Sequence, residues 1–129
     1  MANRKAVKSD WKANPMPEAH VVIPMHKELN TEDWAIIAQG VVPGSMDEKW
    51  FIYLEDDRLF MHRSWTGNCI FTLEVETSED GALLKSIAVN RNPEEYGGDD
   101  DEYDVALANW VIDRLMLNRN VSLPRKGQS

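Results

Sequence analysis

The hydrophobic pattern of residues 50–76, WFIYLEDDRLFMHRSWTGNCIFTLEVE, resolves into three strand-like runs separated by two turn signals. Residues 50–55 are aromatic and β-branched, Asp56-Asp57 reads as a two-residue hairpin loop, and residues 58–63 return. That loop length fixes a register. Glu55 faces Arg58, Leu54 faces Leu59, Ile52 faces Met61 and Trp50 faces Arg63, while Tyr53–Phe60 and Phe51–His62 pair on the opposite surface. Residues 64–68 contain the Gly and Asn that suit positive φ, so a five-residue loop is predicted. It sets Met61 against Phe71, Leu59 against Leu73 and Arg63 against Cys69. Both turns then place Trp50, Ile52, Leu54, Leu59, Met61, Cys69, Phe71, Leu73 and Val75 on one face, an agreement that a one-residue slip would destroy.

The flanking chain is read from the same periodicities. Residues 1–19 mix Lys and Arg with Asn and Pro and predict an irregular arm anchored by Trp11. Val21-Val22-Ile23, stopped by Pro24, predicts a short edge strand or an extended packing segment. Asn30 or Thr31 caps a helix that packs Trp34, Ile37, Ala38 and Val41 inward and ends at Gly40 and Pro43-Gly44. Residues 83–91 predict a fourth meander strand with two open registers. One buries Leu84, Ser86 and Ala88; the other, preferred for its larger apolar residues, buries Leu83, Ile87 and Val89 together with Lys85. A final helix over about 104–118 turns Val105, Ala108, Val111, Ile112 and Leu115 inward, and residues 122–129 form a mobile tail.

The expected fold is therefore one α+β domain over residues 1–129. It is a four-stranded antiparallel β-meander covered on one face by an N-terminal and a C-terminal helix, a two-layer sandwich. At 129 residues with 43% hydrophobic content the chain is long enough to bury a core without covalent staples. The single cysteine, Cys69, has no intrachain disulfide partner and is expected as a buried thiol.

Charge narrows the function classes. The net charge of −8 is concentrated in residues 94–104, which hold seven acids and no base, leaving 15 acids against 14 bases elsewhere. No basic stripe interleaved with aromatics supports nucleic-acid binding. The basic N-terminus lacks an apolar run behind it and no segment approaches a membrane span, so a cytoplasmic protein without membrane attachment is expected. No cofactor motif is assigned.

Two places carry candidate chemistry. In His62-Arg63-Ser64-Trp65-Thr66-Gly67, an Arg and turn amides are suited to a phosphate or carboxylate, and Trp65 to stacking on a ring. The competing structural reading stacks Arg63 on Trp50 and spends Ser64 and Thr66 on turn backbone. The second place is the mixed sheet face of Phe51, Tyr53, Phe60, His62, Ile70 and Thr72, more apolar than a solvated face; Phe51, Tyr53, Phe60 and Ile70 are expected to form a homodimer interface. A Cys69/His62 dyad is rejected because the register puts the two side chains on opposite faces. His20 and His26 lack further ligands for zinc, and the acidic loop does not match the EF-hand spacing.

The string HRSWTG following a Trp/Tyr-rich hairpin resembles a strand-HRSWTG-strand segment of small uncharacterised bacterial proteins. The likeness covers about residues 50–73. It implies a bacterial intracellular protein and carries over no activity and no catalytic residue.

The resulting expectation is a small intracellular non-catalytic binding or regulatory module that self-associates through the mixed face, with a protein or an anionic small molecule as partner. Its alternative is a small enzyme, or a binder of a phosphate-bearing or nucleotide-like ligand, at residues 62–67.

Overall fold

The computed structural model describes residues 6–44, 48–97, 100–122 and 124. Gly98 and Asp99 of the acidic loop and most of the expected mobile tail lie outside them. The chain is α+β: β1 (His20–Leu29), α1 (Thr31–Gln39), β2 (Trp50–Glu55), β3 (Arg58–Arg63), β4 (Cys69–Ser78), β5 (Gly81–Asn90) and α2 (Asp101–Trp110), which continues into a π-helical stretch, Val111–Met116. All neighbours pair antiparallel in the order β1-β5-β4-β3-β2.

The β2–β3 hairpin has the register expected from its loop length, from Trp50↔Arg63 to Glu55↔Arg58. Asp56 and Asp57 both take positive φ, 52° and 59°, the turn whose twist matches the flanking strands.

The sheet has five strands rather than four. The segment around Val21 extends through Pro24 to Leu29 and pairs along β5. Proline is tolerated because β1 is an edge strand, where an amide N–H need not join the ladder. The first helix correspondingly follows a strand and crosses from one edge of the sheet to the other.

Bulges, which sequence alternation does not reveal, resolve the β5 ambiguity. One extra residue, Lys85, lies between the pairs Glu74↔Ser86 and Val75↔Leu84, so Leu84, Ile87 and Val89 all reach the core while Lys85 stays outside, paired with Glu76 at 3.7 Å. Opposite it β1 carries a further extra residue between Pro24 and Lys27. Each strand toward that edge is thus longer over the same interval, which coils the sheet.

One core joins the sheet to the two helices: Trp50, Ile52, Leu59, Met61, Phe71, Leu73, Leu84, Ile87 and Val89 pack with Ile37 of α1, Leu107 and Ala108 of α2, and Val111 and Ile112 of its π-helical continuation. Asn30 caps α1 by accepting the Asp33 amide at 2.8 Å. At its other end Gly40, φ 74°, approaches Ile52 so closely that a Cβ would strike the Ile52 carbonyl. α2 begins at Asp101, three residues before the expected start near 104, and Asp100 caps it by accepting from the Tyr103 amide. In the π-helical stretch the Leu117 amide reaches Ile112 O. The wider turn shifts the helix phase, burying Met116 and leaving Leu115 49% exposed, the reverse of the expected Leu115 contact. Among the described residues no helix is long and apolar enough to cross a membrane.

Candidate functional site

Strand alternation divides the hexapeptide 62–67 between two environments. His62 points to the sheet face away from the helices and is buried there among Phe51, Tyr53 and Phe60, stacked on Tyr53 with ring centroids 5.6 Å apart. Its Nδ1 lies 3.0 Å from Gly67 O, and Nε2 has no hydrogen-bond partner among the described residues. Burial lowers its pKa and nearby Lys8 adds to the effect, against a smaller opposing contribution from the Gly67 bond. Ser64 is also buried, donating Oγ–H to Glu48 O at 2.7 Å. Thr66 accepts the Asn68 amide within the turn, and Trp65 projects from it, 62% exposed. The five residues do not converge. His62 and Ser64 hold the fold, Trp65 and Thr66 form a loop tip, and Arg63 faces the helices.

The arm closes over the His62 face. Trp11 Nε1 donates to Ser64 O at 2.7 Å, Asn14 N–H donates to Gly67 O at 2.8 Å, and Ala6 N–H donates to Gln39 O at 2.7 Å. Gly67, φ 81°, is required beneath it, since a Cβ would meet Lys12 Cβ. Ala6, Phe51 and Tyr53 consequently form a second buried cluster, with Trp11, Ala13 and Phe60 packed against it. The aromatic face read as an open interface is thus covered by the protein's own arm. Phe51 and Tyr53 are buried, Phe60 is half-buried, and Ile70 lies in the main core. Ile70 changes sides because β4 has an extra residue between Met61↔Phe71 and His62↔Cys69.

The same bulge corrects the register argument against a Cys69/His62 dyad: Cys69 is opposite His62, not Arg63. The pair still lacks the chemistry of a nucleophile and base. Cys69 Sγ lies 3.3 Å from Thr72 Oγ1, and burial pushes its thiol up to about 11, far from a thiolate at neutral pH.

On the helix side, α2 and its π-helical continuation leave a cleft of about 500 Å³ against the β2 edge. It is lined by Val41, Glu48, Lys49, Trp50, Ile52, Arg63, Tyr103, Leu107, Trp110 and Leu115. Val41 bridges Ile52 through two backbone hydrogen bonds of 2.8 and 2.9 Å, which occupies the strand edge beside the opening. Ion pairs hold the roof: Lys27 meets Asp113 at 3.1 Å, and Arg119 meets Asp33 of α1 at 2.5 Å.

Arg63 is the distinctive group in this cleft. Its Cζ sits 4.7 Å from the centroid of Trp50, which in turn stacks on Phe71. That is the cross-hairpin stack anticipated from the register. The guanidinium makes no ion pair or hydrogen bond with a described residue. Burial pulls its pKa below the ordinary arginine value, opposed by Tyr96 and Tyr103, without threatening its charge. Glu48 lines the same cleft without forming an ion pair with Arg63, and its carboxylate accepts the Gly44 amide.

The sequence reading missed the helical wall of this cleft. Tyr103, Leu107 and Trp110 recur at i, i+4 and i+7, a stripe legible in the chain, but the competing stripe through Val105 and Ala108 has the more regular aliphatic character.

The acidic segment is partly neutralised from outside itself. Arg91 meets Asp101 and the fully buried Asp104 at 2.6 Å each, and Tyr96 donates to Asp104 at 2.5 Å. These bonds fasten the segment to the end of β5. Among the described residues no three His, Cys, Asp or Glu side chains are grouped to hold a metal ion. His26 is exposed beside Glu28, and His20 contacts Pro17 O.

Comparison with protein-family models, with curated proteins and with solved structures gives no match to this chain.

Proposed function

We propose that the protein is a small non-catalytic binding module whose ligand enters the cleft between the β2 edge and α2 and places an anionic group on Arg63. The observation that carries this reading is a half-buried guanidinium, fixed on Trp50, with no acidic partner among the described residues, at the wall of a cleft of about 500 Å³. Desolvating a cation is costly, and an anion that supplies charge-assisted hydrogen bonds offsets that cost. The volume lies within the range of small-molecule sites. An enzymatic reading has less behind it, since neither Cys69 nor His62 opens on this cleft. Self-association through the aromatic face requires the arm to leave first, because Phe51 and Tyr53 are inside the folded chain.

Differential scanning fluorimetry with a panel of phosphates and carboxylates tests the reading. A ligand at one hundred times its Kd stabilises by about 2.7 kcal/mol, a shift readily seen at this size. Trp50 and Trp110 line the cleft, so their emission changes on binding. Arg63→Gln is expected to remove both signals. Anions that leave the melting temperature unmoved, or act equally on Arg63→Gln, overturn the proposal.

A further inference from the structure

The lining of the cleft restricts the anion further. Resting on the reading above, we infer that the ligand is a hydrophobic monoanion, with its carboxylate on Arg63 and its apolar body along Ile52, Leu107, Trp110 and Leu115. Three observations select this class over a nucleotide or another polyphosphate.

The first is the charge count. Arg63 and Lys49 are the cations of the lining and Glu48 its acid, a balance suited to one negative charge. The second is the absence, among the lining residues, of the devices that hold phosphate groups. No glycine lines the cleft, and α2 lines it with Tyr103, Leu107 and Trp110, the Tyr103 amide being already taken by the Asp100 cap at 3.1 Å. The N-terminus of α2 carries Asp100 and Glu102 beside the Arg91-paired Asp101, immediately before the lining residue Tyr103, and the charge that Arg91 does not offset opposes a polyanion.

The third is the apolar surface with no other use. Leu115 is 49% exposed because the π-helical turn rotates it out of the core toward the cleft, beside Trp110 and Leu107. A ligand carrying only a charged head leaves these side chains in water, whereas an alkyl or aryl body removes them from it. Arginine suits the carboxylate end because its planar fork engages both oxygens, and stacking on Trp50 holds that fork in place.

Isothermal titration of the full-length protein with decanoate below its micellar concentration, 1-decanol, inorganic phosphate and ATP separates the possibilities. Decanoate is expected to bind at least roughly tenfold more tightly than decanol, the increment of one charge-assisted pair. Phosphate and ATP are expected not to displace it. Arg63→Gln should reduce decanoate to the affinity of decanol, and Leu115→Glu, at a half-exposed position that does not threaten folding, should weaken decanoate by a further tenfold or more. If phosphate or ATP binds through Arg63 and decanoate does not, the anion site stands and the hydrophobic class falls. Equal binding of decanol and decanoate, unaffected by Arg63→Gln, overturns both. So does the absence of any binding.

Discussion

The two faces of this sheet are both covered, by different means and with different consequences. The helix-covered face is a continuous apolar core closed by α1 and α2, with a cleft beside the β2 edge. The other face is closed over β2 and β3 by a thin arm, held by hydrogen bonds from Ala6, Trp11 and Asn14. Neighbouring residues show the difference. Arg63 faces the helices and keeps its charge available, whereas His62 faces the arm and is held neutral. A helix layer has a rigid thickness and leaves gaps where its phase fails, and an arm follows the surface without closing every hollow along it. Both sides hold ligand-sized space: the cleft of about 500 Å³ beside the β2 edge, and a more open hollow of about 460 Å³ against the arm, lined by Val7, Lys8, Ser9, Trp11, Ala13 and Glu55, but only the first presents an arginine.

The largest effect expected to sharpen this contrast is in the core. Leu73→Ala should cost about 2 to 5 kcal/mol, because the residue is fully buried between sheet and helices. Phe60→Ala, half-buried beneath the arm, should cost roughly half as much. Equilibrium denaturation of the two variants decides it, and equal losses would mean that the arm packs as tightly as the helices.

A smaller effect is expected from the arm itself. Trp11→Ala removes the 2.7 Å bond to Ser64 and a ring packed against the cluster of Ala6, Phe51 and Tyr53, for a loss of about 1 to 3 kcal/mol. Uncovering aromatics should also increase binding of an apolar dye and favour self-association in sedimentation. A variant with unchanged stability and dye binding would break the view of the arm as a cover.

The smallest expected effect is a pH dependence. The folded pKa of His62 lies below its unfolded value near 6.5. The unfolded chain therefore takes up a proton that the folded chain refuses. His62 contributes fully above that value, and its contribution falls as pH drops through 6.5 toward the folded pKa. His62→Phe, which keeps a ring but cannot titrate, should flatten stability between neutral and mildly acid pH. A wild-type slope that persists in the variant would remove His62 as its origin.

The local rules in the sequence determined much of this molecule. A two-residue Asp56-Asp57 turn fixes the β2–β3 register, and with it the Trp50–Arg63 stack, because side-chain alternation leaves one solution that keeps the apolar residues together. The position of α1 follows from Asn30 and Gly40, whose roles are intrinsic to their side chains and backbone freedom. The tertiary structure alone decided where an element departs from its ideal period. The bulges at Ile70 and Lys85 and the π-helical turn before Met116 each add a residue or shift a phase, and no local propensity records them. They move Ile70 into the core, set Cys69 against His62 and turn Leu115 toward the cleft. Tertiary packing also decided what lies over the aromatic face, since the arm is held by bonds spanning more than fifty residues, such as Trp11 to Ser64. The cleft is the product of both. Its arginine was legible from hairpin register, while its roof depended on how α2 settles on a sheet coiled by irregularities that only close packing selects.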